Sequence, residues 1–211
     1  AEEGDGKSAL YYPSLRQREA SAWLRDLCDR GLDKDADVPK PRPNVEQAAF
    51  IERIIKRCLQ ECQDEAGDEE YRSEPLQCVL HGVPGAGKSK VLYWVRDFLE
   101  TVCGFEHSKE FVFLASQNTM AALIDGLTLH SYGEIPFEKE GVIVRHRGDS
   151  KDLNKTMLKF EHLRWIFIDE ASTIGVEDLA TFARNLRSST PDVHTWKLRA
   201  ADKERLWAGR N

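Results

Sequence analysis

The stretch that decides the fold is the glycine-rich loop at residues 82–89, which reads Gly82-Val83-Pro84-Gly85-Ala86-Gly87-Lys88-Ser89. It is a complete Gly-x-x-x-x-Gly-Lys-Ser motif. Glycines let backbone N–H groups approach phosphate oxygens without a Cβ in the way. The lysine places a positive charge beside the β- and γ-phosphates, and the serine hydroxyl can bind Mg²⁺. The loop therefore predicts a nucleoside triphosphate site.

The sequence on either side of the loop has the order that phosphate binding requires. Leu76–Leu80 is a short apolar segment after Pro75, and we expect it to form a buried parallel strand. After the loop, apolar residues recur at helical spacing from Lys88 to about Val102, and Gly104 follows. The N-terminus of that helix would face a bound anion. Strand, loop and helix together predict an α/β fold of the P-loop NTPase type.

An acidic pair further along the chain agrees with this interpretation. The apolar run Trp165–Ile168 ends in Asp169 and Glu170, so a buried strand is expected to deliver two carboxylates at its carboxyl edge. An ordinary strand end can be acidic too, but P-loop enzymes use such an Asp to hold Mg²⁺ and the adjacent Glu to activate water. We expect Lys88, Asp169 and Glu170 to be catalytic, with Ser89 and Asp169 holding Mg²⁺ together with ATP.

Composition limits the remaining possibilities without deciding the function. The chain has 211 residues, 41% of them hydrophobic, which is enough for one substantial core. No apolar run is long enough to cross a membrane, so no membrane partner is expected. The five cysteines form no Cys-x-x-Cys pair, which favours free thiols and an intracellular, reducing compartment. The whole net charge of −6 lies in residues 1–75, where acids outnumber bases by 18 to 12.

The chain divides into two predicted regions. Residues 1–43 are an acidic extension, mostly helical or disordered, with a helix near Leu15–Cys28 and a proline-rich linker. Residues 44–211 form the nucleotide-binding domain. Asn44 is placed to cap its first helix, with Gln47 at the position of a capping box. Two further predicted elements lie between the nucleotide motifs, a buried strand and a short helix, at Phe111–Ala115 and Thr119–Ile124.

Together, these segments resemble superfamily 1B DNA helicases, specifically the petite-integration-frequency (Pif) family and its RecD-type relatives. The resemblance runs from about Pro43 to the C-terminus. The segments that carry it are Asn44–Gln47, which is similar to the adenine-reading Q motif, Gly82–Ser89 (motif I), Ala115–Asn118 with Ala121–Leu123 and Thr128–Tyr132 (the motif Ia region), and Phe167–Ser172 (motif II). The Ala-Ala-Leu and Thr-Leu-His-Ser-Tyr strings are the most specific of these.

The resemblance implies a RecA-like parallel sheet flanked by helices, the first of two motor lobes. It implies an ATP-dependent helicase that moves 5′ to 3′, is monomeric, and works in the nucleus or the mitochondrion. Gln47 would contact adenine. Single-stranded DNA would be held by the residues of the motif Ia region, namely Ser116, Asn118, Thr119, Thr128, His130 and Ser131. The family has a Thr-Gly pair where this chain has Asn118-Thr119-Met120. His130 alone would more often be a structural histidine.

The family continues with a Gly-Asp-x-x-Gln-Leu-Pro motif and a second lobe whose arginines reach the γ-phosphate. Because Trp207–Asn211 resembles the segment before that motif, we expect the chain to be a fragment that binds Mg-ATP, hydrolyses it slowly and does not unwind DNA. Two alternatives stay open. One is a P-loop ATPase with a regulatory or assembly role and no DNA. The other is a nucleotide kinase, which the Asp-Glu pair disfavours.

Overall fold

The structure, a computed structural model, describes residues 17–29, 41–66, 74–139, 142–144, 159–189 and 206–211. The chain divides into two compact units. The first contains residues between Tyr11 and Phe105, and the second consists, in the described part of the chain, of residues from Glu106 to Asn211. No helix within the described ranges has the length and apolar character needed to cross a membrane.

The N-terminal unit is built from three helices, α1 (Gln17–Asp29), α2 (Val45–Ala66) and α3 (Lys88–Thr101). Their apolar faces are buried against one another, as the helical spacing requires. Trp23 of α1 ties its helix to α3, since its indole Nε1 donates to Asp97 Oδ2 at 3.0 Å and its ring lies 5.2 Å from that of Phe98. Three predicted helices are confirmed: the one near Leu15–Cys28, the one capped by Asn44, and the one that begins at Lys88.

The buried strand predicted at Leu76–Leu80 is wrong. The segment forms no strand, and Val79 is 89% exposed, with Gln77 and Cys78 also at the surface. An apolar run becomes a strand only where a neighbouring strand accepts and donates its backbone hydrogen bonds. In the part of this unit that the structure describes, the regular elements are all helices. Residues 76–80 therefore lead into the glycine loop as irregular backbone.

The C-terminal unit is an α/β structure. Its parallel sheet has the order β2-β1-β5, made of β1 (Phe111–Ala115), β2 (Leu127–Thr128) and β5 (Trp165–Ile168). The other elements are α4 (Asn118–Leu123), α5 (Leu129–Gly133), the antiparallel hairpin β3 (Phe137–Lys139) and β4 (Val142–Val144), and α6 (Val176–Ser188). The predicted strands at 111–115 and 165–168 are confirmed, as is the short helix near 119–124. The parallel sheet flanked by helices confirms the predicted fold class.

One face of this sheet forms the core of the C-terminal unit. Alternate residues of a strand point to opposite faces, so Val112 and Leu114 of β1 join Ile166 and Ile168 of β5 on the same side. They pack against the apolar sides of α5 and α6. Aromatic rings dominate the centre of the cluster, which contains Tyr132, Phe160 and Phe182, with Trp207 at its border.

The C-terminal residues extend the sheet beyond β5. The Asn211 N–H donates to the Arg164 carbonyl at 3.0 Å, and the Ile166 N–H donates to the Asn211 carbonyl at 2.9 Å, which is the pattern of a parallel bridge. The fully buried Arg210 holds this segment, since its guanidinium donates to the carbonyls of Leu163 and Phe160 at 2.8 and 2.9 Å. Burial lowers the pKa of Arg210 to about 10.

Tyr132 offers a stability test. Its hydroxyl is buried and has no hydrogen-bond partner among the residues that the structure describes. Removing an unsatisfied buried hydroxyl recovers its desolvation cost, so we expect Tyr132→Phe to raise the free energy of unfolding by about 1–3 kcal/mol. Urea denaturation at pH 8 measures this. Equal or lower stability of the variant would show that the hydroxyl has a partner after all.

The same variant has an expected pH dependence. Burial raises the pKa of Tyr132 above its ordinary value, so the folded chain keeps this proton when the unfolded chain has lost it. A raised folded pKa contributes stability that is complete below the unfolded pKa of about 10 and is lost as the pH rises above it. Because phenylalanine has no such proton, the advantage of Tyr132→Phe should widen above pH 10.

Candidate functional site

The glycine-rich loop has the backbone that its sequence predicts. Gly85 and Gly87 both have φ near +81°, in the left-handed region that side-chain-bearing residues rarely adopt. The Ala86 N–H donates to the Val83 carbonyl at 3.1 Å and closes the turn. A Cβ added to Gly87 would lie 2.8 Å from Gln47 Nε2. The positive φ thus favours glycine at both positions, and a side chain at Gly87 would also have to displace the Gln47 amide.

Lys88 and the start of α3 supply the positive end of this loop. Lys88 Nζ donates to the Gly82 carbonyl at 3.0 Å, so the ammonium spans the loop from its last residues to its first. An ammonium has three donors, which leaves capacity for phosphate oxygens. Gly87 caps α3 without a side-chain hydrogen bond, so the first backbone N–H groups of the helix can face an anion. Ser89 follows as an exposed hydroxyl.

Gln47 is connected to the same loop. The predicted capping box is present, since Asn44 N–H donates to Gln47 Oε1 at 2.9 Å and Gln47 N–H donates to Asn44 Oδ1 at 2.8 Å. The Gln47 Nε2 donates to the Ala86 carbonyl at 3.0 Å. Both ends of the amide are therefore engaged, one by the helix cap and the other by the loop. To read adenine, Gln47 would have to exchange these bonds for bonds to the base.

This geometry predicts that Gln47 supports the loop for any nucleotide. Glu at this position can still accept from Asn44 N–H but cannot donate to the Ala86 carbonyl. We therefore expect Gln47→Glu to weaken binding of fluorescent ATP and GTP alike, by about three- to tenfold, the value of one net hydrogen bond. Gln47→Ala, which also loses the cap, should additionally lower thermal stability. A loss confined to ATP would instead identify Gln47 as an adenine reader.

The acidic pair lies where the parallel strands end. The Asp169 N–H donates to the Leu114 carbonyl at 2.8 Å, continuing the ladder between β1 and β5. Asp169 Oδ1 accepts the Glu170 N–H at 3.1 Å, and Glu170 is exposed, with a φ of +48°. Carboxylate oxygens are ligands that Mg²⁺ prefers, so Asp169 is chemically suited to bind that ion. In the N-terminal unit, Ser89 carries the hydroxyl that P-loops use for the same purpose.

Three of the residues predicted to hold DNA have local roles in the C-terminal unit. Thr128 caps α5, since its Oγ1 accepts the Ser131 N–H at 3.2 Å. His130 Nε2 lies 3.6 Å from Asp178 Oδ1, so the imidazole has an acidic neighbour on α6. Ser131 itself is exposed, whereas Leu129 and Tyr132 of the same string belong to the core.

The other three lie after β1. Ser116 is half-buried, directly at the end of the strand, and Asn118 and Thr119 are exposed in the first turn of α4. The register pairs Leu114 with Ile168 and Ala115 with Thr128, so Ser116, Thr128 and Asp169 share one edge of the sheet. The structure thus brings the acidic pair, Ser116 and Thr128 to the same edge of the C-terminal unit, and Gln47 and the loop together in the N-terminal unit.

One residue that the sequence reasoning missed is Thr173. Its Oγ1 donates to the Glu170 carbonyl at 2.8 Å and lies 2.7 Å from Ser116 Oγ. A threonine three residues after an acidic pair at a strand end is a spacing at which the hydroxyl can bond back to the chain, and that was the available signal. Thr173 therefore belongs to the candidate site.

A glycine loop followed by a helix, and a parallel sheet ending in an Asp-Glu pair, define a P-loop ATPase. Comparison with protein families agrees: the family model described as the AAA domain matches residues 58–194. The chain belongs to this AAA domain family. No curated protein and no solved structure gave a match.

Proposed function

We propose that this chain is the first motor domain of an ATP-dependent DNA helicase of the superfamily 1B type, similar to the Pif and RecD-like proteins. The observation that carries the proposal is the sheet edge that Ser116, Thr128 and Asp169 share. Residues proposed to touch single-stranded DNA thus share an edge with the acidic pair proposed to serve ATP hydrolysis, as coupling of the two processes requires.

Each group has a proposed role. Lys88 and the loop amides hold the phosphates of ATP, and Ser89 and Asp169 are the ligands of Mg²⁺, which neutralises phosphate charge when bound. Glu170 orients the attacking water. Ser116, Asn118, Thr119, Thr128, His130 and Ser131 contact the strand. Unwinding in the 5′ to 3′ direction, a monomeric state and a place in the nucleus or mitochondrion are parts of the same proposal.

The experiment is a binding titration of the 211-residue chain with short fluorescent oligo(dT), measured by anisotropy with Mg²⁺ and a non-hydrolysable ATP analogue. We expect single-stranded oligo(dT) to bind and an unlabelled duplex to compete poorly. Binding of the nucleotide without binding of the strand would contradict the helicase proposal and favour a P-loop ATPase with a regulatory or assembly role. Phosphate transfer to a nucleoside monophosphate would identify a kinase.

The salt dependence of that titration locates the contacts. Ser116, Asn118, Thr119, Thr128 and Ser131 are uncharged, so binding through them releases few counterions. Each phosphate contact by Lys or Arg contributes about 0.7 to the slope of log K against log salt for single strands. We expect a shallow slope, below about 2 in magnitude by this rule. A steep slope would instead assign the contact to lysine and arginine side chains, of which residues 139–164 contain seven against four acidic residues.

A further inference from the structure

Two hydroxyl groups connect the end of β1 to the backbone of Glu170. Ser116 Oγ lies 2.7 Å from Thr173 Oγ1. Thr173 Oγ1 donates to the Glu170 carbonyl at 2.8 Å, and the Thr173 N–H donates to the same carbonyl at 2.9 Å. All three residues belong to the C-terminal unit. A continuous path of hydrogen bonds therefore joins a predicted DNA contact to the residue proposed to orient water.

The number of protons fixes the direction of these bonds. A hydroxyl has one proton to donate. Thr173 uses its proton for the Glu170 carbonyl, so Ser116 is the donor in the bond between the two hydroxyls. Phosphate oxygens are acceptors only. Ser116 can therefore donate to Thr173 or to a phosphate of a nucleic-acid strand, but not to both at once.

The backbone at the other end of the path needs support. Glu170 has a φ of +48°, in the left-handed region that non-glycine residues rarely adopt. Such a conformation persists where neighbouring bonds hold it. The two Thr173 donors on the Glu170 carbonyl are bonds of this kind, so a change at Thr173 reaches the conformation of Glu170.

We propose that Ser116 is a donor switch, and that Thr173 is the positioning residue through which it acts. In the free chain Ser116 donates to Thr173; on a single strand it donates to a phosphate instead, and the exchange alters the support of Glu170. This inference rests on the proposed function and adds the route by which strand binding regulates the ATP site. Coupling of this kind is reciprocal, so occupancy of the ATP site also changes strand affinity.

The test is a double-mutant cycle on oligo(dT) affinity. Thr173→Val keeps the branched shape but removes the acceptor that competes for the Ser116 proton. We expect it to tighten oligo(dT) binding by about three- to tenfold, the factor that corresponds to one net hydrogen bond. Thr173→Ser keeps the acceptor and should bind like the wild-type chain. In a Ser116→Ala background, Thr173→Val should give no gain.

The outcomes separate this inference from the proposed function. If the wild-type chain binds oligo(dT) but Thr173→Val does not bind it more tightly, or tightens it equally without Ser116, the switch is overturned and the helicase proposal stands. If the chain binds Mg-ATP and no oligo(dT), the helicase proposal fails, and the switch fails with it. A second readout needs no valine variant: the Thr173 amide resonance should shift on titration of the wild-type chain and stay fixed in Ser116→Ala.

Discussion

Replacing Lys88 with alanine is expected to weaken Mg-ATP binding by about a hundredfold. A hydrogen bond to a charged group contributes about 1.5–3 kcal/mol, and the ammonium is the only side-chain cation within the motif, so the upper part of that range applies. Lys88 Nζ already sits on the Gly82 carbonyl, inside the loop that would hold the phosphates. A fluorescent ATP analogue or calorimetry measures the change.

Lys90→Ala is the matched control for this prediction. This substitution removes the same charge from the same turn of α3, but the Lys90 side chain is exposed. We expect it to change the affinity for ATP by less than about threefold, as surface charges are weak at ordinary salt. AMP, which lacks the β- and γ-phosphates, should not distinguish Lys88→Ala from the wild-type chain. Equal losses in the two lysine variants would mean that net charge, rather than the loop geometry, binds the nucleotide.

Replacing Phe182 with alanine is expected to lower the free energy of unfolding by about 3–5 kcal/mol, the usual cost of deleting a buried aromatic ring. Phe182 is fully buried between Tyr132, Phe160 and Trp207. It also lies so close to Gly133 that a Cβ there would come within 2.7 Å of its ring.

Urea denaturation followed by circular dichroism measures the Phe182→Ala effect. Arg184→Ala, exposed on the same helix, should change stability by less than about 0.5 kcal/mol. Phe182→Leu, which refills part of the space, should fall between the two. Because the ring supports α5, the Ser131 amide proton, which makes the capping bond to Thr128, should also exchange faster in Phe182→Ala. A loss below about 1 kcal/mol would show that the cluster tolerates the cavity.

The sequence was sufficient wherever local chemistry decides the structure. The loop glycines need φ values that their neighbours could not supply, and α2 begins at a capping box that is visible as Asn44 and Gln47. The strands at 111–115 and 165–168 are apolar throughout and flanked by turns, so their pattern allowed few alternatives. Asp169 and Glu170 could be placed because strand ends of a parallel sheet meet at one edge.

The misses all depended on partners that are distant in sequence. Leu76–Leu80 has the composition of a strand but forms none in the part of its unit that the structure describes, and composition cannot report whether another strand is there to pair with it. The bond from Gln47 to Ala86 crosses 39 positions, and the bond from Ser116 to Thr173 crosses 57. Neither distance follows from spacing or periodicity. Tyr132 looked like part of a nucleic-acid motif, yet its side chain is core, because α5 turns it inward.

At Glu170, the left-handed backbone makes thermal stability and ATP turnover favour different residues. Glycine or asparagine would adopt a φ of +48° with less strain, so either should make the chain more resistant to heat. Both would also remove the carboxylate proposed to orient water. A library randomised at this position and sorted for thermal resistance should therefore enrich glycine and asparagine, while the same library sorted for ATP turnover should return glutamate. Position 170 would then be a point at which natural selection has preferred activity to stability.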